Sequence, residues 1–245
     1  MTSAEAANPV RTTQTSVEIL RCVADSGGAT LMELNDRVSV SKGALYNHLS
    51  TLVELELLER VDGTYRVDVG VLALGEQARM AIPGFPAIRG TLRNLAMTSG
   101  EFATFVKTRD GTPIVAETAA GELVERHWLS VGQELPLATT AAGKVVLATL
   151  PEERAAALVR EQTSHETESL LEEIRTVRVQ GLAFSRGEFQ DDQYSVAAPI
   201  DSSDGPTYVV SLTGPKDRLD GKSLQQDIAG LVVSASNEIQ RHILS

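Results

Sequence analysis

The sequence predicts an α+β protein in two parts, and three observations carry that prediction. Three amphipathic helical stretches are followed at once by two short strand-like runs around Asp62-Gly63. Pro83-Gly84-Phe85-Pro86 then breaks the chain, because proline and glycine together interrupt an element instead of continuing it. Beyond the break helical and strand patterns mix up to the C-terminus, as in a sheet with helices packed on it. The expected division is a disordered tail over 1–14, a first domain over 15–68, a linker helix over 69–82 and a second domain over 83–245.

Residues 15–25 place Val17, Ile19, Leu20, Val23 and Ala24 at helical spacing, and Gly27-Gly28 stops that helix. Thr30-Leu31-Met32-Glu33 has the form of a capping box, in which a hydroxyl and a carboxylate satisfy free backbone N–H groups. It opens a short helix to about Val38; Ser39-Val40 turns the chain, and a third helix is expected over 41–57. Residues 58–61 and 64–67 then form a hairpin, since Asp-Gly accepts the positive φ of a two-residue turn. Three helices and a hairpin in this order make a winged helix-turn-helix.

Residues 69–81 read as one more helix. After the break, 87–98 is helical, 101–108 and 112–118 are strands joined by Asp110-Gly111, and 124–129 is a further strand. Residues 140–149 open a helix on small residues, 151–160 start one at Pro151, and 170–180 form one capped by Gly181. Residues 196–200 and 207–213 are apolar strands flanking Ser203-Asp204-Gly205. The last helix, 222–244, buries Leu224, Ile228, Leu231, Ala235 and Ile239 on one stripe.

At 245 residues and 42% hydrophobic content, each part has enough chain for its own core. No apolar run approaches the ~18 residues of a membrane span. Residues 1–14 lack the apolar centre of a secretory signal. Cys22, the single cysteine, can build neither a disulfide framework nor a cysteine zinc site. The expected location is the cytoplasm. The formal net charge is −11, and dividing the chain does not remove it: residues 1–82 hold 7 Lys+Arg against 11 Asp+Glu. Only 5 of the 22 basic residues are lysine. Such a surface suits high salt, where at about 1 M the Debye length falls to about 3 Å and self-repulsion is screened. It also suits a mildly acidic protein with a few well-placed arginines.

Projected at helical spacing, the third helix gathers Ala44, Leu45, Leu49, Leu52 and Leu55 on one arc and Gly43, Tyr46, Asn47, Ser50 and Thr51 on the other. The apolar arc is expected to pack on the first two helices. On the polar arc, asparagine can pair with an adenine edge, and hydroxyls can bond bases or phosphates. Ser41 and Lys42 at the helix start suit a phosphate, where the helix dipole assists. Gly43 either admits the backbone close to DNA or merely weakens the helix. Arg60 and Arg66, either side of the hairpin turn, extend the candidate DNA interface, whereas His48 falls among the apolar positions and reads as packing.

Ser16 to Ala78, ending in Tyr65-Arg66-Val67 and Leu72-Ala73-Leu74-Gly75, resembles the winged helix of the IclR family of regulators. Leu135-Pro136-Leu137-Ala138-Thr139-Thr140-Ala141-Ala142-Gly143-Lys144 is similar to the loop-to-helix segment of that family's effector domain. Val196-Ala197-Ala198-Pro199-Ile200 and Val210-Ser211-Leu212-Thr213-Gly214-Pro215 resemble its paired C-terminal strands. The resemblance implies a GAF-like effector domain binding a small anionic, polar or sugar-derived molecule. By position it implies backbone N–H groups of Ala141 and Ala142 and the side chains of Ser195, Ser211 and Thr213 at the ligand. Some relatives carry an acid where this chain has Ser185; with Arg186 adjacent, a more anionic ligand is expected. A homodimer or dimer of dimers on a pseudo-palindromic double-stranded operator is the expected assembly.

Other constellations point elsewhere or nowhere. Gly143-Lys144 lacks the rest of a P-loop, and no Gly-x-Ser-x-Gly elbow occurs. The four histidines, at 48, 127, 165 and 242, are not spaced as metal ligands, so neither metal nor cofactor is expected. Cys22 reads as a core residue, and Trp128 either fills the sheet core or lines the effector pocket. The alternatives are a ligand-independent architectural DNA binder and an enzyme using Lys144 beside a DNA-binding module.

Overall fold

The computed structural model describes residues 8–127, 129–162, 167–201, 208–220 and 223–244. The chain divides into two units, one up to Met80 and one from Ala81. In the first, α1 (Arg11–Asp25), α2 (Leu31–Arg37) and α3 (Lys42–Glu54) share a core of Ile19, Val23, Leu34, Leu45, Leu49 and Leu52. Residues 11–14 are helical, not part of a disordered tail. Their side chains are all exposed, so this turn leaves no hydrophobic period in the sequence. It grows from a helix already nucleated, which costs little. Cys22 packs at the edge of the same core.

The capping box forms: Glu33 N–H donates to Thr30 Oγ1 at 3.4 Å, and Thr30 N–H donates to Glu33 Oε2 at 2.8 Å. These bonds hold the Glu33 carboxyl below its ordinary value of 4.5. A depressed carboxylate stabilises the fold above that pH and loses its contribution as pH falls through the lowered value. Thr30→Ala is expected to destabilise the first unit by about 1 kcal/mol, read as an earlier midpoint in urea unfolding.

β2 (Leu58–Val61) and β3 (Thr64–Val67) form the wing, with positive φ at both Asp62 and Gly63 (51° and 81°) as a mirror-image turn requires. A strand missing from the sequence reading, β1 (Ala29–Thr30), pairs with β3 and sets the sheet order β1-β3-β2. Two residues are too few for alternation to show. Leu55 follows α3 and is 61% exposed, so it leaves the apolar arc expected of it. Next comes α4 (Val71–Met80), which buries none of its residues.

The second unit is a five-stranded antiparallel sheet, order β5-β4-β8-β7-β6, with helices on both faces. Its elements are α5 (Phe85–Ser99), β4 (Phe102–Arg109), β5 (Thr112–Ala120), α6 (Ala141–Thr149), α7 (Glu152–Gln162), α8 (Thr167–Gln180), β6 (Ala183–Arg186), β7 (Gln193–Ile200), β8 (Tyr208–Pro215) and α9 (Ala229–Leu244). Phe85, Ile88 and Leu92 of α5 and Val232 and Ile239 of α9 cover one face. Val145 and Val146 of α6 and Leu171 and Ile174 of α8 cover the other.

Three expectations change here. No strand occupies 124–127: Leu123 N–H donates to Gly100 O and Gly121 N–H to Glu101 O, so the chain turns. A Cβ on Gly121 would lie 2.2 Å from the Gly100 carbonyl carbon, so glycine alone permits this crossing. Trp128 lies outside the described residues, as does His165. β6 was unforeseen, and the last helix begins as a π-helical stretch, Ser223–Ile228, before α9. Residue 222 and the side chain of Leu224 lie outside the described residues.

Candidate functional sites: an exposed helix face and a neutral cavity

On α3 the two arcs separate as their spacing requires. Leu45, Leu49 and Leu52 are buried, while Lys42, Gly43, Tyr46, Asn47 and Ser50 are exposed. Ser41 is the N-cap, its Oγ accepting from Ala44 N–H at 3.3 Å, which leaves the side chain partly committed to the helix. Thr51 Oγ1 donates to Asn47 O. A Cβ on Gly43 would meet nothing within 4 Å, so packing within the chain does not demand glycine there. His48 Nδ1 is 2.8 Å from Ser16 Oγ, bridging α3 to α1, in keeping with a packing role.

The wing arginines do not share a face. Arg60 pairs across the hairpin with buried Tyr65, and its guanidinium carbon sits 5.5 Å from that ring's centre. Arg66 is opposite Glu59 on the other face. Directly opposed residues in an antiparallel pair project to the same side, so the two cations diverge.

In the second unit a cavity of about 40 Å³ opens between the start of α6 and strands β6, β7 and β8. Strand parity builds it. Ser185, Ser195 and Thr213 form one cross-strand row, with Ser211 two pairs along on the same face, opposite Ala197. Ala141, Ala142, Ser185, Ser195, Ser211 and Thr213 all line it, joined by Thr140, Gln193, Leu129, Leu135, Phe189 and Gln190. Thr140 caps α6: its Oγ1 accepts from Gly143 N–H at 3.0 Å and donates to Pro136 O at 2.6 Å. Ser185 Oγ donates to Thr139 O at 2.8 Å, and the Ser211 hydroxyl is bonded to that of Thr104.

Arg186 corrects the sequence reading. It follows Ser185 by one residue, so it projects from the opposite face, where it is exposed and lies 5.1 Å from the centre of the Phe184 ring. The adjacent cation therefore adds no positive charge to the cavity. Gln193 is the residue that sequence reasoning missed. It is 6% exposed, lines the cavity, and its Oε1 has no partner among the described residues.

Lys144, considered as a catalytic group, has a structural engagement. It is 1% exposed, and Nζ donates to Glu188 at 2.6 Å, Glu173 at 2.9 Å and Phe184 O at 3.0 Å. It ties α6 to α8 and to the loop after β6. Beside Gly214 of β8, buried Glu101 takes both oxygens to Arg218, at 2.6 and 2.8 Å, which raises the arginine's pKa. Among the described residues no cluster of three or more His, Cys, Asp or Glu could hold a metal ion. No helix among them is long and apolar enough to cross a membrane.

A winged helix with an exposed polar helix face, joined in one chain to a cavity-bearing α+β domain, is the architecture of a ligand-responsive transcription regulator. The family model described as the IclR helix-turn-helix domain matches residues 14–62, and that described as the bacterial transcriptional regulator IclR C-terminal matches residues 85–241. The chain belongs to the IclR family, whose members carry a DNA-binding helix-turn-helix and a C-terminal effector-binding domain. It is 31% identical over 238 residues to a probable HTH-type transcriptional regulator, ArcR, of Halobacterium salinarum, covering 92% of this chain and 90% of that one. An IclR transcriptional regulator from Alicyclobacillus acidocaldarius superposes with a TM-score of 0.84 at 21% identity, over 96% of this chain and 100% of the other. An IclR homologue from Microbacterium hydrocarbonoxydans complexed with 4-hydroxybenzoate gives 0.77 at 16% identity, over 95% and 99%.

Proposed function

We propose that two copies of this regulator read a two-fold operator with their α3 helices, and that a small acid in the second-unit cavity tunes the affinity. The observation that carries the reading is α3 itself. Its leucines are buried while Lys42, Tyr46, Asn47 and Ser50 stand exposed on the second helix of a helix-turn-helix, with the Ser41 cap and Gly43 at its start. Arg60 and Arg66 of the wing supply phosphate contacts beside it. A small acid is supported by the backbone N–H groups of Ala141 and Ala142 at the α6 start and by the 4-hydroxybenzoate of the distant homologue.

Pairing of two copies is supported by α4. Leu72 and Leu74 are 71% and 64% exposed on a helix with no buried residue, apolar surface on two sides of α4 that packing against a second copy would cover. As the helix that follows the wing in sequence, α4 is the element through which ligand binding changes the spacing of the two readers. Work in the cytoplasm at high salt is supported by the acidic, lysine-poor composition and by the Halobacterium salinarum relative. Footprinting around the gene and its neighbours should protect two half-sites about one helical turn (~34 Å) apart. Leu72→Glu with Leu74→Glu should yield a monomer in sedimentation and lose paired protection. Uniformly unprotected DNA would overturn the reading.

A further inference from the structure

We infer that the second-unit cavity selects a compact, singly charged hydroxy acid, and that Gln193 is the residue that recognises its hydroxyl. The inference rests on reading the cavity as the effector site, and three observations carry it.

The first is the balance of charge. None of the described residues lining the cavity has an ionisable side chain. Arg186 is on the far face of β6, and Lys144 is held by two carboxylates. Among the described residues an anion there is met by backbone N–H groups, hydroxyls and the amides of Gln190 and Gln193, all of them neutral. At the start of the nine-residue helix α6, Thr140 Oγ1 takes the Gly143 N–H, while those of Ala141 and Ala142 find no acceptor among the described residues. Two successive N–H groups at a helix start, with the helix dipole behind them, suit one carboxylate. A second charge would be buried without a counter-ion, which is strongly unfavourable.

The second is Gln193. A buried amide oxygen without a partner is costly in the free protein, and a ligand donor removes that cost on binding. A hydroxyl can donate to Oε1 and, were the amide turned over, accept from Nε2. With the amide oriented as it is, a carbonyl at the same place can only accept, and so leaves Oε1 unpaired. The neighbouring Ser195 and Thr213 hydroxyls, which no other described residue engages, complete a polar wall that accepts and donates. The third is size: about 40 Å³ of free space favours a molecule of few heavy atoms.

Lactate, pyruvate and oxalate separate these terms at nearly constant size. Titration calorimetry on the full chain should give lactate (one enantiomer or both) at least about tenfold tighter than pyruvate, the range expected when one buried acceptor is left unmatched. Oxalate should bind more weakly than lactate. In Gln193→Leu the preference for lactate over pyruvate should vanish, while the ligand-free melting temperature stays level or rises because an unmatched buried group has gone. Ser195→Phe, which fills the cavity, should abolish binding of all three. Pyruvate binding as tightly as lactate, oxalate binding more tightly, a preference that persists in Gln193→Leu, or no binding by any of the three would overturn the inference. Should pyruvate or oxalate win and Ser195→Phe abolish that binding, the cavity remains the effector site and only its selectivity is wrong. Binding that survives Ser195→Phe would place the ligand elsewhere and remove the underlying reading as well.

Discussion

Replacing Gly143 by alanine is expected to disrupt the second unit more than any other single methyl addition in α6. The added Cβ would stand 2.3 Å from Pro136 O, 2.5 Å from Leu137 O and 2.6 Å from Leu137 Cα. All three are backbone atoms, so no side chain can swing away to make room. That backbone is itself pinned, since Pro136 O accepts from the Thr140 hydroxyl that caps α6. The strain has to be relieved by moving the 136–137 segment or the start of α6, at a cost of about 3 kcal/mol, the upper part of the range for overpacked sites. For a domain of this size that lowers the melting temperature by about 6–12 °C. The displaced helix start also carries the Ala141 and Ala142 N–H groups, so any ligand-induced thermal shift should shrink. Gly90, exposed within α5 where an added Cβ would meet nothing within 4 Å, is the control. There alanine should stabilise by about 0.4–1 kcal/mol, since it restricts the unfolded chain without a clash. Equal melting of Gly143→Ala and the parent protein would refute the packing account.

What the sequence disclosed follows from the range of the signals. Hairpin turns, the capping box and, Leu55 excepted, the leucine arc of α3 are local, and each is where its residues placed it. Both Asp-Gly turns adopt positive φ at both positions, including Asp110 and Gly111 at 53° and 85°. The cavity was legible only in part. Ser185, Ser195, Ser211 and Thr213 converge on it, but Arg186 does not, because period-two alternation sends neighbours to opposite faces. That parity became usable once β6 was known to be a strand. Four residues between Gly181 and Gly187 are too short a run to separate from a loop. Gln193 was hidden for a related reason. It begins β7 three residues before the apolar run at Val196, and it shares the cavity with Ala141 and Ala142 of α6 and with Phe189 and Gln190, a meeting that no local pattern encodes. The charged segment at 124–127 misled in the opposite direction: its turn is dictated by Gly121 crossing Gly100, a pairing of positions distant in the sequence.

The DNA reader itself yields the second large effect. The protein carries a net charge of −11, and the exposed cations of α3 and the wing are Lys42, Arg60 and Arg66. Arg66 faces Glu59 across the wing and Arg60 lies against Tyr65, so neither is a bare phosphate ligand. Three phosphate contacts per copy would set a ceiling of about −2.7 on the slope of log K against log salt. Nearby carboxylates such as Glu54, Glu56 and Glu59 bring it closer to zero. Specific binding should therefore persist in molar KCl, carried by base contacts and not by counter-ion release. Asn47→Ala, removing a side chain suited to an adenine edge, should weaken operator binding by about 1–3 kcal/mol per half-site with the salt slope unchanged. Lys42→Ala should do the reverse: it should weaken binding to operator and random DNA alike and flatten the slope by about one unit per copy. The two variants thus separate reading from attraction in one set of anisotropy titrations across KCl. An Asn47→Ala protein that kept full operator preference would show that α3 is not the reader, whatever its salt dependence.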